Sequence, residues 1–137
     1  MQRRNFIKNT ATIAAVGLSS EVFSIRGAGF FNDKVRIGFI GVGARGLGTL
    51  ELALLRKDIT VTAICDIDPI TTAKAVKAVS DAGQKPPKLF TDGPHAYKKL
   101  LEQKDVDAVF ICTPWEWHTP MSVDAMKAGK AVACEVA

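Results

Sequence analysis

The chain has 137 residues, enough for one domain, and 47% of them are hydrophobic, which excludes an intrinsically disordered class. Its net charge of +4 is unevenly placed: Arg3, Arg4, Lys8 and Arg26 stand against Glu21 in the first 30 residues, a net +3 that leaves +1 for the body. That body has no clustered Lys/Arg run with interleaved aromatics, which argues against a nucleic-acid surface.

Residues 1–30 read as a leader. Met1-Gln2-Arg3-Arg4-Asn5-Phe6-Ile7-Lys8 resembles the twin-arginine export signal, with Gln2 where Ser or Thr is usual. The apolar stretch Ala11–Leu18 is too short to span a bilayer, so no stable membrane insertion is expected. No lipobox cysteine and no clean A-x-A cleavage site is present. The expected location is the periplasm, reached by the twin-arginine route, which carries proteins already folded around a cofactor. An unprocessed basic helix in a cytoplasmic protein is the alternative.

From Lys34 the pattern alternates strand and helix. Val35–Ile40 is a continuous apolar run, as expected of a parallel strand buried on both faces. Ala44–Leu55 reads as a helix with Leu47, Leu50, Leu54 and Leu55 on one stripe. Ile59–Asp66 is a second strand. Asp68-Pro69 caps and opens a helix through Thr71–Ser80, with Ala73, Val76 and Val79 expected on its inner face. Lys88–Phe90 is a short strand, Thr91–Gly93 a turn and Tyr97–Leu101 a helix. Val106–Cys112 is a strand, Thr119–Ala128 a helix stopped by Gly129, and Lys130–Val136 a fifth strand. The expected fold is α/β, a Rossmann-type doubly wound parallel sheet over 34–137 that stops before a second, α+β substrate domain.

The richest segment is Gly41-Val42-Gly43-Ala44-Arg45-Gly46, a G-x-G-x-x-G turn between the first strand and the first helix. Gly41 permits the tight turn, Gly43 lets a pyrophosphate approach the backbone, and Gly46 lets the helix sit against the strand. The helix N-terminus offers unpaired N–H groups to phosphate. Asp66 follows Gly46 by 20 positions, at the end of the second strand, where an acid can accept both hydroxyls of an adenosine ribose. A carboxylate there repels a 2′-phosphate, so NAD is the expected cofactor; Arg45 keeps NADP open.

After the fourth strand comes Thr113-Pro114-Trp115-Glu116-Trp117-His118. Flat aromatic faces suit stacking, and indole and imidazole N–H groups suit phosphate or ribose. The bland alternative is a packing corner, with His118 near the next helix's N-cap. Cys65, Cys112 and Cys134 each lie in an apolar run and read as small buried thiols without metal-site spacing; their odd number and lack of a disulfide pattern suggest folding in a reducing compartment, before export.

Together these motifs resemble the N-terminal domain of the Gfo/Idh/MocA oxidoreductases. TPWEWH, AICDID, KDVDAVFI and the closing EV are similar to one branch, glycoside hydrolase family 109, the NAD-using α-N-acetylgalactosaminidases. The resemblance implies that Ala44 and Arg45 meet the pyrophosphate through backbone N–H groups, with Gly41, Gly43 and Gly46 shaping the turn and Asp66 on the adenosine ribose. It implies that Trp115, Glu116, Trp117 and His118 line the middle and the nicotinamide end, and that Glu135 and Val136 meet the nicotinamide ribose and ring. Sugar dehydrogenases of the family carry E-K-P where this chain has Glu135-Val136-Ala137, and Val136 cannot orient a hydroxyl or move its proton. The branch is known for lacking that lysine. Its chemistry is transient oxidation at the sugar's C3, elimination of the C1 substituent, water addition and re-reduction, unlike the two-carboxylate route.

The implied partner is a small sugar or glycoside, with catalytic residues in a second domain and none among these 137 residues, and an oligomer left open for the full-length protein. The competing readings are a sugar dehydrogenase with net NAD turnover and a non-catalytic NAD-binding fragment.

Overall fold

The computed structural model describes residues 34–136, so the expected leader lies outside the described residues. β1 (Val35–Ile40) holds the centre of a five-stranded parallel sheet. β2 (Ile59–Cys65) and β3 (Lys88–Phe90) lie on one side of it, β4 (Ala108–Ile111) and β5 (Ala131–Cys134) on the other. The chain moves outward from β1 to β3 and then returns to place β4 beside β1. The strand order therefore reverses at β1, and a crevice opens between the carboxyl ends of β1 and β4.

The sheet buries a separate apolar cluster on each face. Ile37, Phe39 and Val61 pack beneath α1 (Ala44–Leu54) and α2 (Pro69–Asp81) through Leu50, Ala53, Ala75 and Val79. Ile40, Val109 and Ile111 pack against α3 (Tyr97–Leu101) and α4 (His118–Lys127) through Tyr97, Leu100, Met121 and Ala125. Phe39 and Phe110 stack with centroids 5.2 Å apart, which joins β1 to β4.

A bulge at Thr62 sets the direction of the β2 side chains. Ile37 pairs with Val61 but Gly38 pairs with Ala63, so Thr62 is the extra residue. Val61 consequently faces the first cluster and Ala63 the second. The Thr62 hydroxyl donates to the Asp105 carbonyl at 2.9 Å. The Val61 N–H donates to the Gln84 side-chain oxygen at 2.9 Å, which satisfies β2 where β3 does not reach.

Most elements form where the apolar pattern places them, with differences at several element ends, at Leu55, on the inner face of α2 and among the thiols. β2 ends at Cys65, β4 starts at Ala108 and β5 spans only Ala131–Cys134. Leu55 is 79% exposed because α1 ends at Leu54 and the stripe runs out. On α2 the inner face is Thr72, Ala75 and Val79; Ala73 is exposed and Val76 only half-buried. Burial of Thr72 is possible because its hydroxyl donates to the Asp68 carbonyl at 2.8 Å. The thiols also differ: Cys65 is buried, Cys112 half-buried and Cys134 exposed on the outer strand of the described sheet.

Candidate functional site

The glycine turn is built for close approach. Gly41 has φ +85°, and a Cβ on it would meet the Cys112 carbonyl oxygen at 2.8 Å. A Cβ on Gly46 would fall onto the Gly41 carbonyl, so α1 can lie against β1 only with glycine there. Gly43 differs: its φ is −61° and a Cβ on it would meet nothing within 4 Å. Its backbone borders open space at the N-terminus of α1. Gly43 is the N-cap and supplies no side chain, and the first intrahelical bond runs from Leu47 N–H to the Gly43 carbonyl at 2.8 Å. The N–H groups of Ala44, Arg45 and Gly46 thus belong to the turn that helices leave without internal partners.

Asp66 lies immediately after β2 and ties this turn in place. One carboxylate oxygen accepts the Val42 N–H at 2.7 Å and the other accepts the Asp68 N–H at 2.9 Å. Each oxygen keeps a further acceptor position, so a pair of ribose hydroxyls can still be accommodated. Asp68 in turn caps α2, accepting the Ile70 N–H at 2.8 Å.

A cavity of about 240 Å³ opens between these groups. Gly41, Gly43, Asp66 and Ile67 form one part of its wall, Gly93 and Pro94 another. Thr113, Pro114, Trp117 and Met121 form the part contributed after β4. Of the residues expected from sequence, the structure brings Gly41, Gly43, Asp66 and Trp117 together in this cavity. Ala44 and Arg45 lie exposed beside it on the first turn of α1, and Gly46 is buried beneath.

The remaining expected residues stand apart from the cavity. Trp115 is 75% exposed and Glu116 is exposed on the 3₁₀ turn Trp115–Trp117. His118 is the first residue of α4, and its Nε2 lies 2.7 Å from the Thr113 carbonyl. A carbonyl only accepts, so Nε2 carries the hydrogen and the ring clasps its own loop, leaving Nδ1 for another partner. Glu135 lies past β5, its N–H bonded to the Ile111 carbonyl at 2.9 Å. Its carboxylate is 3.9 Å from the Arg45 guanidinium, across the mouth of the sheet. Val136 is 86% exposed.

Pro94 was not singled out by the sequence pattern, and Gly93 was read only as the end of a turn. Gly93-Pro94 does carry a turn signal, but only the position of β3 in the sheet brings it to the crevice. Burial pushes the Cys65 thiol up to about 12 and also raises that of Cys112, so neither is an activated nucleophile at neutral pH. Among the described residues no group of His, Cys, Asp or Glu could hold a metal ion.

The Gfo/Idh/MocA oxidoreductase family, NAD-binding Rossmann fold, matches residues 35–136. The chain belongs to that family. Residues 35–136 are its NAD-binding domain, and the open backbone at Gly43 and the spare acceptor positions of Asp66 fit a dinucleotide. A glycosyl hydrolase family 109 protein of Stenotrophomonas maltophilia is 45% identical over 139 residues, which cover 99% of this chain and 30% of that protein. A second family 109 protein, from Shewanella, is 40% identical over 98% of this chain and 33% of its own length. The chain thus spans about a third of the length of these curated relatives. A scyllo-inositol dehydrogenase of Lactobacillus casei, solved with NAD(H) and scyllo-inositol, is 25% identical over 74% of this chain and 28% of its own, with a TM-score of 0.58. An oxidoreductase of Thermotoga maritima is 30% identical over 75% of this chain and 30% of its own, with a TM-score of 0.61.

Proposed function

We propose that this chain is the cofactor-binding part of an NAD-dependent glycosidase acting on α-linked N-acetylgalactosaminides. The observation that carries the reading is Glu135-Val136 at the carboxyl end of β5. A valine stands where the family's sugar dehydrogenases hold a lysine, and the two curated relatives described above are named for glycosyl hydrolase family 109. When bound, the nicotinamide supplies a reversible hydride acceptor for a sugar carbon. The residues of this chain bind and orient. The α1 N-terminus at Ala44–Gly46 holds the pyrophosphate, and Asp66 accepts the adenosine ribose hydroxyls and disfavours a 2′-phosphate. The wall of Thr113, Pro114 and Trp117 keeps water from one side of the dinucleotide. Glu135 faces the nicotinamide ribose, with Arg45 as its counter-charge. Proton-moving groups come from a further domain. The leader at Arg3-Arg4 directs export by the twin-arginine route.

A second reading, a sugar dehydrogenase with net NAD turnover, is favoured by the likeness to the inositol dehydrogenase. One assay separates the two. The full-length protein, given NAD and an α-linked N-acetylgalactosamine substrate with a chromogenic aglycone, should release aglycone without accumulating NADH. Stoichiometric NADH with sugar oxidation and no cleavage moves the assignment to the dehydrogenase.

A further inference from the structure

The cavity has two walls that belong to different halves of the sheet. Gly93 and Pro94 come from the turn after β3, while Thr113, Pro114 and Trp117 come from the loop after β4. His95 follows Pro94, and its ring lies edge-to-face with Trp117, centroids 5.6 Å apart and planes at 70°. His95 is exposed, so its burial contributes little to the core; the ring sits on the rim and touches the indole that lines the cavity.

Both ends of this contact are anchored. The Ala96 N–H donates to the Gly93 carbonyl at 3.1 Å, and Ala96 and Tyr97 are buried. The Tyr97 hydroxyl donates to Asp124 on α4 at 2.8 Å. On the other side, the Trp117 N–H donates to the Pro114 carbonyl at 3.0 Å, and the indole packs partly into the second apolar cluster. The backbones on both sides are therefore held, and what the His95 contact bears on is the indole's side-chain torsion. Among the described residues His95 is the ring that meets Trp117, on the side of the indole facing the Gly93-Pro94 turn, so it acts as a lateral stop on that torsion.

We propose that His95 is a positioning residue for the dinucleotide, holding the Trp117 ring as a wall of the cavity by an edge-to-face contact across the crevice. An aromatic pair of this geometry is worth about 0.5–1.5 kcal/mol beyond its buried area, which corresponds to roughly 2- to 12-fold in a binding constant when the fixed ring is what the ligand meets. The proposal rests on the reading of this cavity as part of the dinucleotide site, and the experiment below separates the two.

The chain contains two tryptophans. In the 137-residue chain carrying Trp115→Phe, whose own NAD affinity is the reference, Trp117 is the one remaining indole. Titration with NAD should change its emission; no change at saturating NAD, with binding seen calorimetrically, overturns the cavity reading itself. In the same background His95→Ala should shift Trp117 emission and weaken NAD binding roughly 2- to 12-fold, with the protein still folded at the assay temperature. His95→Phe keeps an aromatic edge and should restore both emission and affinity. His95→Ala with unaltered emission and affinity overturns the positioning role, as does failure of His95→Phe to rescue when the NAD-induced emission change is intact.

Discussion

Gly43 and Gly46 occupy the same turn, yet the structure gives them different duties. A methyl at Gly46 collides with backbone, and overpacking of this kind costs about 1–3 kcal/mol. A methyl at Gly43 meets nothing in the protein but enters the space over the first turn of α1. Gly43→Ala should therefore leave the thermal midpoint unchanged and weaken NAD at least about tenfold, roughly the 1.4 kcal/mol of one lost close contact to phosphate. Gly46→Ala should lower both. Thermal melts beside calorimetric NAD titrations check the pair. Equal effects of the two substitutions would show that Gly43 serves the fold alone. Asp66 combines the duties, since it clamps Val42 and also offers acceptor positions to a ribose. Purified protein should bind NAD more tightly than NADP, and Asp66→Ala should weaken NAD and narrow that difference; equal affinities in the starting protein would contradict the assignment. Its clamping role was not legible in sequence, because the Val42–Asp66 bond depends on how β1 and β2 are paired.

Among the elements, β1, α1 and β3 were legible because an apolar run, a glycine turn or a pair of prolines bounded each one. The inner face of α2 was not: Ala73-Val76-Val79 and Thr72-Ala75-Val79 both fit a helical period. The bond from the Thr72 hydroxyl to the Asp68 carbonyl permits the burial of Thr72 that the second pattern requires. The Thr91–Gly93 turn was legible but its place at the crevice was not, and His95 carried no signal, because a short strand followed by a short helix has no periodic pattern. Long-range pairing alone brings them to the crevice. The starts of β1 and β4 are joined by Arg36 and Asp107, with guanidinium–carboxylate distances of 2.9 and 2.6 Å and a further bond from the Arg36 backbone N–H at 2.9 Å. These bonds, the Arg36 side chain foremost, hold the Asp107 carboxyl below its usual range. The folded value is lower than the unfolded one, so the stabilisation is present above the ordinary carboxyl value and is lost as pH falls through the lowered one. Asp107→Asn should thus cost about 1 kcal/mol at neutral pH, discounted for the partial exposure of both side chains, and nothing in strong acid. Urea melts of both proteins across that range test this, and a difference that persists in acid would rule out the ionic tie.

At the scale of the whole molecule, the order of strands does what no single motif can. It places the turns after β1, β2, β3 and β4 around one crevice, so that residues as far apart in sequence as Ile40 and Met121 share a cavity. Beyond the described residues, the leader has its own test: Arg3-Arg4→Lys-Lys should hold the protein in the cytoplasm, and an unchanged distribution on fractionation would show that the pair is not an export signal. The central claim is that the dinucleotide lies across the carboxyl ends of β1, β2 and β4. Hydrogen exchange followed by peptide mass analysis, with and without saturating NAD, addresses it most directly. The account predicts slowed exchange at residues 42–47, 66–68 and 113–118, with 58–60 and 103–107 at the opposite end of the sheet unchanged. Protection confined to that opposite end, or absent from the glycine turn while NAD is bound, would contradict it.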